Sequence, residues 1–109
     1  MIDLTNEQLE VVRSILDKHV PQVTVLAYGS RVNGNSGKSS DLDLALVDKA
    51  PLPLSKISAL KEDFSESDLP FRVDLIDFHQ ATDEFQQKIR ERCYILYNKP
   101  RNPTDSNTI

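Results

Sequence analysis

The chain has 109 residues, with 13 Lys and Arg against 17 Asp and Glu and a net charge of −4 at pH 7. That length fits one domain with a single modest core, and the acidic balance argues against broad nucleic-acid binding, which needs a basic face. No apolar run approaches the ~20 residues of a membrane helix, Met1-Ile2-Asp3-Leu4 is unlike a signal peptide, and Cys93 is the single cysteine, so a cytoplasmic location is expected.

Thr5 to Val20 reads as a first helix. Thr5 and Gln8 have capping-box spacing, and Leu9, Val12, Leu16 and Val20 recur at helical steps. His19, near its end, reads as a solvated residue. Pro21 stops the helix, and Gln22 to Tyr28 is β-branched and aromatic enough to be a first strand, ended by Gly29. Asn33 to Ser40 is a Gly, Ser and Asn loop, following one helical turn from Ser30. Asp41 to Val47 is a second strand with a period of two, Asp41, Asp43, Ala45 and Val47 on one face and Leu42, Leu44 and Leu46 on the other. Leu54 to Phe64 reads as a helix with Ile57, Leu60 and Phe64 on one side. Phe71 to Phe78 is a third strand carrying Asp74 and Asp77, and Thr82 to about Cys93 a last helix. Tyr94 to Tyr97 either extends that helix or forms a short edge strand.

The expected fold is therefore α/β, a small sheet covered on one face by helices. Residues 1–97 form the domain, and residues 98–109, with two prolines and almost no apolar side chains, are expected to be a flexible tail.

Three features carry chemistry. Asp41 and Asp43 lie two residues apart on one strand face, ~6.6 Å along it, and could converge on a pair of Mg²⁺ ions of the kind used for displacement at phosphorus. Gly29-Ser30 follows an apolar strand, where glycine permits close backbone approach and a helical turn would offer unpaired N–H groups to an anion. Asp74 sits inside the apolar stretch Phe71-Arg72-Val73-Asp74-Leu75-Ile76, where a carboxylate needs a cation, water or a metal. Arg72, two residues away, could be that cation. Asp77 faces the other way and suits a capping or turn role. Alone, each feature is compatible with an ordinary turn or a solvated strand residue.

Together, Gly29-Ser30, ten intervening residues, Asp41-x-Asp43 and a later strand bearing Asp74 resemble the nucleotidyltransferase domain of the DNA polymerase β superfamily, in particular its minimal nucleotidyltransferase (MNT) group. The resemblance spans roughly residues 5 to 97. It implies a small mixed sheet covered by helices, two Mg²⁺ ions held by Asp41, Asp43 and Asp74, and a nucleoside triphosphate, ATP by expectation, whose tail Gly29 and Ser30 hold. Arg31 and Gly34 match a Gly-Ser-Arg-x-Arg-Gly pattern frequent in the group and are assigned to the phosphates, whereas Asn33 replaces its second arginine. Asp74 would help activate the acceptor hydroxyl.

The resemblance further implies an antitoxin partnered with a HEPN ribonuclease toxin, possible as a hetero-oligomer, which it adenylylates on a tyrosine. No membrane and no direct nucleic-acid binding are expected. A second reading is an antitoxin that neutralises by binding alone; a weaker third is transfer to a small molecule such as an antibiotic. Three carboxylates that repel one another without metal favour the enzyme.

Overall fold

A computed structural model describes residues 2–34, 37 and 40–98. The first helix, α1 (Asn6–His19), begins at Thr5. The Thr5 hydroxyl accepts the Gln8 N–H and the Gln8 side chain accepts the Thr5 N–H, closing the expected capping box. There follow β1 (Thr24–Tyr28), a single helical turn α2 (Ser30–Asn33), β2 (Leu42–Val47), α3 (Leu54–Glu66), β3 (Val73–Asp77), a 3₁₀ turn over Phe78–Gln80, α4 (Asp83–Glu91) and β4 (Tyr94–Tyr97). Tyr94 to Tyr97 is thus a strand. The expected tail, from residue 99 onward, lies outside the described residues, as does Lys38 in the loop before β2.

The four strands form one mixed sheet in the order β3-β2-β1-β4. β1 runs antiparallel to both β2 and β4, and β2 runs parallel to β3 with α3 as the crossover. Parallel neighbours need such a connection, whereas β1 and β2 are joined by α2 and a loop.

Alternation along the strands separates two faces. Leu42, Leu44 and Leu46 of β2, Val25 and Ala27 of β1 and Leu75 of β3 are buried on one face against Val12 and Leu16 of α1 and Leu60 and Phe64 of α3. This is the main core. The opposite face carries a second, smaller cluster in which Ala45 packs with Phe78 and Ile89. The sheet is therefore covered on both faces, since α4 lies over the face expected to be open. Leu26, Tyr28 and Ile76 pack against the edge of this cluster.

Two polar readings resolve here. His19 is not simply solvated: its Nε2 lies 2.8 Å from Asp63 Oδ2, linking α1 to α3. That hydrogen bond, first, and the Lys18 charge hold the Asp63 carboxyl below its usual range. Asp77 is buried and accepts from Leu52 N–H at 2.7 Å and His79 N–H at 3.0 Å, the turn role expected of it.

Leu44 sits fully buried on the central β2. Leu44→Ala should lower unfolding free energy by about 2–5 kcal/mol, read as a reduced urea midpoint at unchanged slope.

Candidate active site

The site is built where three strands end. Asp43 of β2 is the register partner of Asp74 of β3 in the parallel ladder and of Tyr28 of β1 in the antiparallel one. Neighbouring strands are ~4.8 Å apart. The three side chains therefore stand in a row on the face opposite the main core. Asp41 lies just before β2, two residues from Asp43. The sequence brought Asp41 and Asp43 to one face; the parallel pairing adds Asp74 beside them.

Gly29 joins this row from below. It has φ +83°, a left-handed conformation that disfavours other residues, and a Cβ there would overlap Asp43 Oδ2. Its smallness thus lets the Asp43 carboxylate lie against the backbone at the entrance to α2. Gly29 is also the N-cap of α2, without a side-chain cap, and its carbonyl accepts from Val32 and Asn33 N–H, both at 3.0 Å. Ser30 opens the helical turn beside Asp43, and its N–H, the first of the turn, has no intrahelical acceptor.

The electrostatics are those of crowded anions. Burial, first, and then the charges of Asp74 and Asp41 push the Asp43 carboxyl above its usual range, with Arg72 opposing them. The Tyr28 phenol is pushed up to about 12, by burial and then by Asp43 and Asp74. Tyr28 stays protonated at neutral pH, and its ring meets Phe85 edge-on at 5.6 Å. Arg72 is not the partner of Asp74: its Nη2 lies 3.1 Å from Asp41 Oδ2. As placed, no three His, Cys, Asp or Glu side chains among the described residues stand close enough together to hold a metal ion. Asp43 and Asp74 are adjacent, and Asp41 is turned toward Arg72. The donor set is nonetheless all hard oxygen, which suits Mg²⁺, and the crowding of like charges is what a cation would relieve.

Arg31 and Gly34 are placed differently from the metal-site candidates. Arg31 is buried, donating from Nε to Ser40 O at 3.0 Å and from Nη1 to Asp3 O at 2.8 Å, with its guanidinium 4.1 Å from the Phe71 ring centroid. This packing clamps the end of the loop and the N-terminal segment onto the core, and reaching a phosphate would break it. Gly34 closes α2 in the left-handed conformation, φ +83°, with open space around it, so its dihedral is the reason for glycine there. Sequence reasoning missed Tyr28 and the Arg72–Asp41 pair. The alternation of β1 held the signal for Tyr28; the ion pair depends on strand order, which alternation does not encode.

A cleft of about 550 Å³ reaches Asp74, lined also by Lys61, Phe64, Phe71 and Arg72 among others. It lies along β3, which is an edge strand of the sheet, so Asp74 is reachable from outside.

The family model described as "Polymerase beta, Nucleotidyltransferase" matches residues 10–102. The chain belongs to this nucleotidyltransferase family. Within the family it is 44% identical over 100 residues to the "Probable protein adenylyltransferase MntA" of Haemophilus influenzae, covering 92% of this chain and 88% of that protein. Its fold matches a crystal structure of a toxin–antitoxin with AMP-PNP at TM-score 0.70 and 21% identity, over 92% of this chain and 78% of the other. It also matches the MntA-HepT toxin–antitoxin at TM-score 0.65 and 18% identity, over 94% and 79% respectively. These likenesses confirm the polymerase-β-like nucleotidyltransferase fold expected from the sequence.

Two outcomes follow from the packing. Gly29→Ala should destabilise by at least about 1–3 kcal/mol from backbone strain and displace Asp43, seen in urea unfolding together with loss of nucleotidyl transfer. Asp43→Asn should raise the metal-free Tm at pH 7, because a raised carboxyl pKa means the ionised group opposes folding. That advantage should be full above the raised pKa of Asp43 and vanish below the ordinary value of 3.8. Added Mg²⁺ should raise Tm in the wild type and not in the variant.

Proposed function

We propose that the chain is a Mg²⁺-dependent nucleotidyltransferase that moves AMP from ATP to a protein hydroxyl, a tyrosine of a HEPN ribonuclease toxin, and thereby acts as its antitoxin. The observation that carries the chemistry is the row of Asp43 and Asp74 on adjacent strands, set against Gly29-Ser30. A protein acceptor and a toxin partner are supported by the 44%-identical relative named as a protein adenylyltransferase and by the toxin–antitoxin assemblies that share the fold, while the tyrosine and the HEPN type follow from the resemblance of the sequence to the MNT group.

When bound, divalent ions would supply positive charge to the phosphates and lower the pKa of the acceptor hydroxyl. Asp43 and Asp74 would hold them, with Asp41 once it leaves Arg72. That ion pair is largely exposed, with side-chain exposures of 79% for Arg72 and 41% for Asp41, and exposed pairs contribute little, so opening it costs little. Gly29 and the first turn of α2 receive the triphosphate tail. Asp74, on the edge strand, faces the acceptor and takes its proton as the acceptor oxygen attacks the α-phosphorus. The bond to the bridging oxygen breaks, and pyrophosphate leaves with the electron pair. Gly29 and Ser30 then hold the leaving group, opposite the acceptor.

The test is incubation with Mg²⁺ and α-labelled ATP, with and without the protein encoded beside this one. Label should pass to that protein, fall by more than about a hundredfold in Asp41→Asn/Asp43→Asn, as loss of metal ligands should exceed the usual effect of their outer partners, and disappear with a chelator. A stable complex of the two proteins that takes no label from any nucleoside triphosphate would establish neutralisation by binding instead.

A further inference from the structure

The Arg72–Asp41 pair joins the residue just before β3 to the residue just before β2, at the end of the sheet where the carboxylates stand. Arg72 precedes Asp74 by two residues, and Asp41 precedes Asp43 by two. Their backbones are tied here, since Leu42 N–H donates to Arg72 O at 2.9 Å. Only the side chains need move to part the pair. Those side chains are free to do so, being exposed by 79% and 41%. Asp41 and Arg72 continue the parallel register on the face that carries Asp43 and Asp74, so parting them would free Asp41 to turn toward those two. That movement supplies the third carboxylate the described arrangement lacks.

We infer that Arg72 is an internal counter-ion that holds Asp41 away from Asp43 and Asp74 until a divalent cation takes its place. Arg72 is thus a positioning residue, acting through Asp41; the inference rests on the reading of these carboxylates as metal ligands. The physical need is plain. Three ionised carboxylates on one face repel one another, and the Asp43 carboxylate already lies close against the Gly29 backbone. Arg72 satisfies one of the three while the site is metal-free. It does so weakly enough to be displaced, because an exposed ion pair adds only a small free energy. The cation then competes with a guanidinium already in place, so the chain binds metal less tightly than its carboxylates alone would allow. Arginine suits the task, because its charge is permanent and its fork is planar. Once displaced, its guanidinium remains at the cleft it shares with Lys61 and Asp74.

The full chain is titrated with Mn²⁺ alone, free ion being counted by electron paramagnetic resonance. Four forms are compared: wild type, Arg72→Gln, Asp41→Asn and the double variant. Arg72→Gln should tighten Mn²⁺ binding about two- to fivefold when Asp41 is present, the range expected for an exposed pair, and leave it unchanged when Asp41 is replaced by Asn. Arg72→Lys, which keeps the charge without the fork, should fall between wild type and Arg72→Gln. In the wild type, Mg²⁺ should move the Arg72 guanidinium nitrogen resonances to the positions they hold in Asp41→Asn without metal. Equal tightening in both backgrounds would reduce Arg72 to a general field and overturn the inference. So would unchanged affinity in Arg72→Gln, or guanidinium resonances indifferent to Mg²⁺. A wild type that binds no Mn²⁺ would overturn the carboxylate reading itself, and the inference with it.

Discussion

The site depends on one register, the pairing of Asp43 with Asp74 across the parallel β2 and β3 strands. A slip of one residue would send either carboxylate to the other face of the sheet. What prevents the slip is on the opposite side. Leu42, Leu44 and Leu46 of β2 and Leu75 of β3 are buried in the main core, and any slip would expose them. The apolar face thus sets the polar one. α3 both supplies Leu60 and Phe64 to that core and carries the chain across to make β3 parallel.

Bringing carboxylates together opposes folding, and the surroundings limit that opposition without removing it. Tyr28, in the same row, stays neutral, its phenol pushed up to about 12, so it adds no further anion. Arg72 engages Asp41 at the rim. Gly29 gives Asp43 room against the backbone. What remains is a half-buried Asp43 whose carboxyl is raised by burial and by its neighbours. A protein selected only for stability would not keep this arrangement. A protein that binds a cation and a triphosphate can use it, because ligand binding to the native state returns the stability.

Much of this was legible in the sequence, because the signals were periodic. Alternation in β2 placed Asp41 and Asp43 on one face and the leucines on the other. The capping box of α1 and the strand within Phe71 to Phe78, which the structure shortens to Val73–Asp77, followed from local residue types, and the spacing from Gly29-Ser30 to Asp41-x-Asp43 carried the family. Contacts between strands distant in sequence were not legible. Arg72 lies two residues from Asp74 in the chain but pairs with Asp41 across the sheet. Arg31 looked like a phosphate ligand because it follows Gly-Ser; in the fold it is buried on Phe71, holding Ser40 and Asp3 by their carbonyls. The cover from α4 was likewise hidden, since a helix over Thr82 to Cys93 does not say which face of the sheet it meets.

The central claim is that Asp43 and Asp74 hold the cation while Gly29 and Ser30 hold the phosphates. The most direct measurement is anomalous diffraction from crystals grown with Mn²⁺ and a non-hydrolysable ATP analogue. The account predicts manganese peaks within ~2.1–2.3 Å of the Asp43 and Asp74 carboxylate oxygens, near the octahedral metal–oxygen distance, with the triphosphate against the first turn of α2. Nucleotide bound instead in the separate cleft between Thr5, Arg31 and Pro70, with no manganese at Asp43, would contradict it.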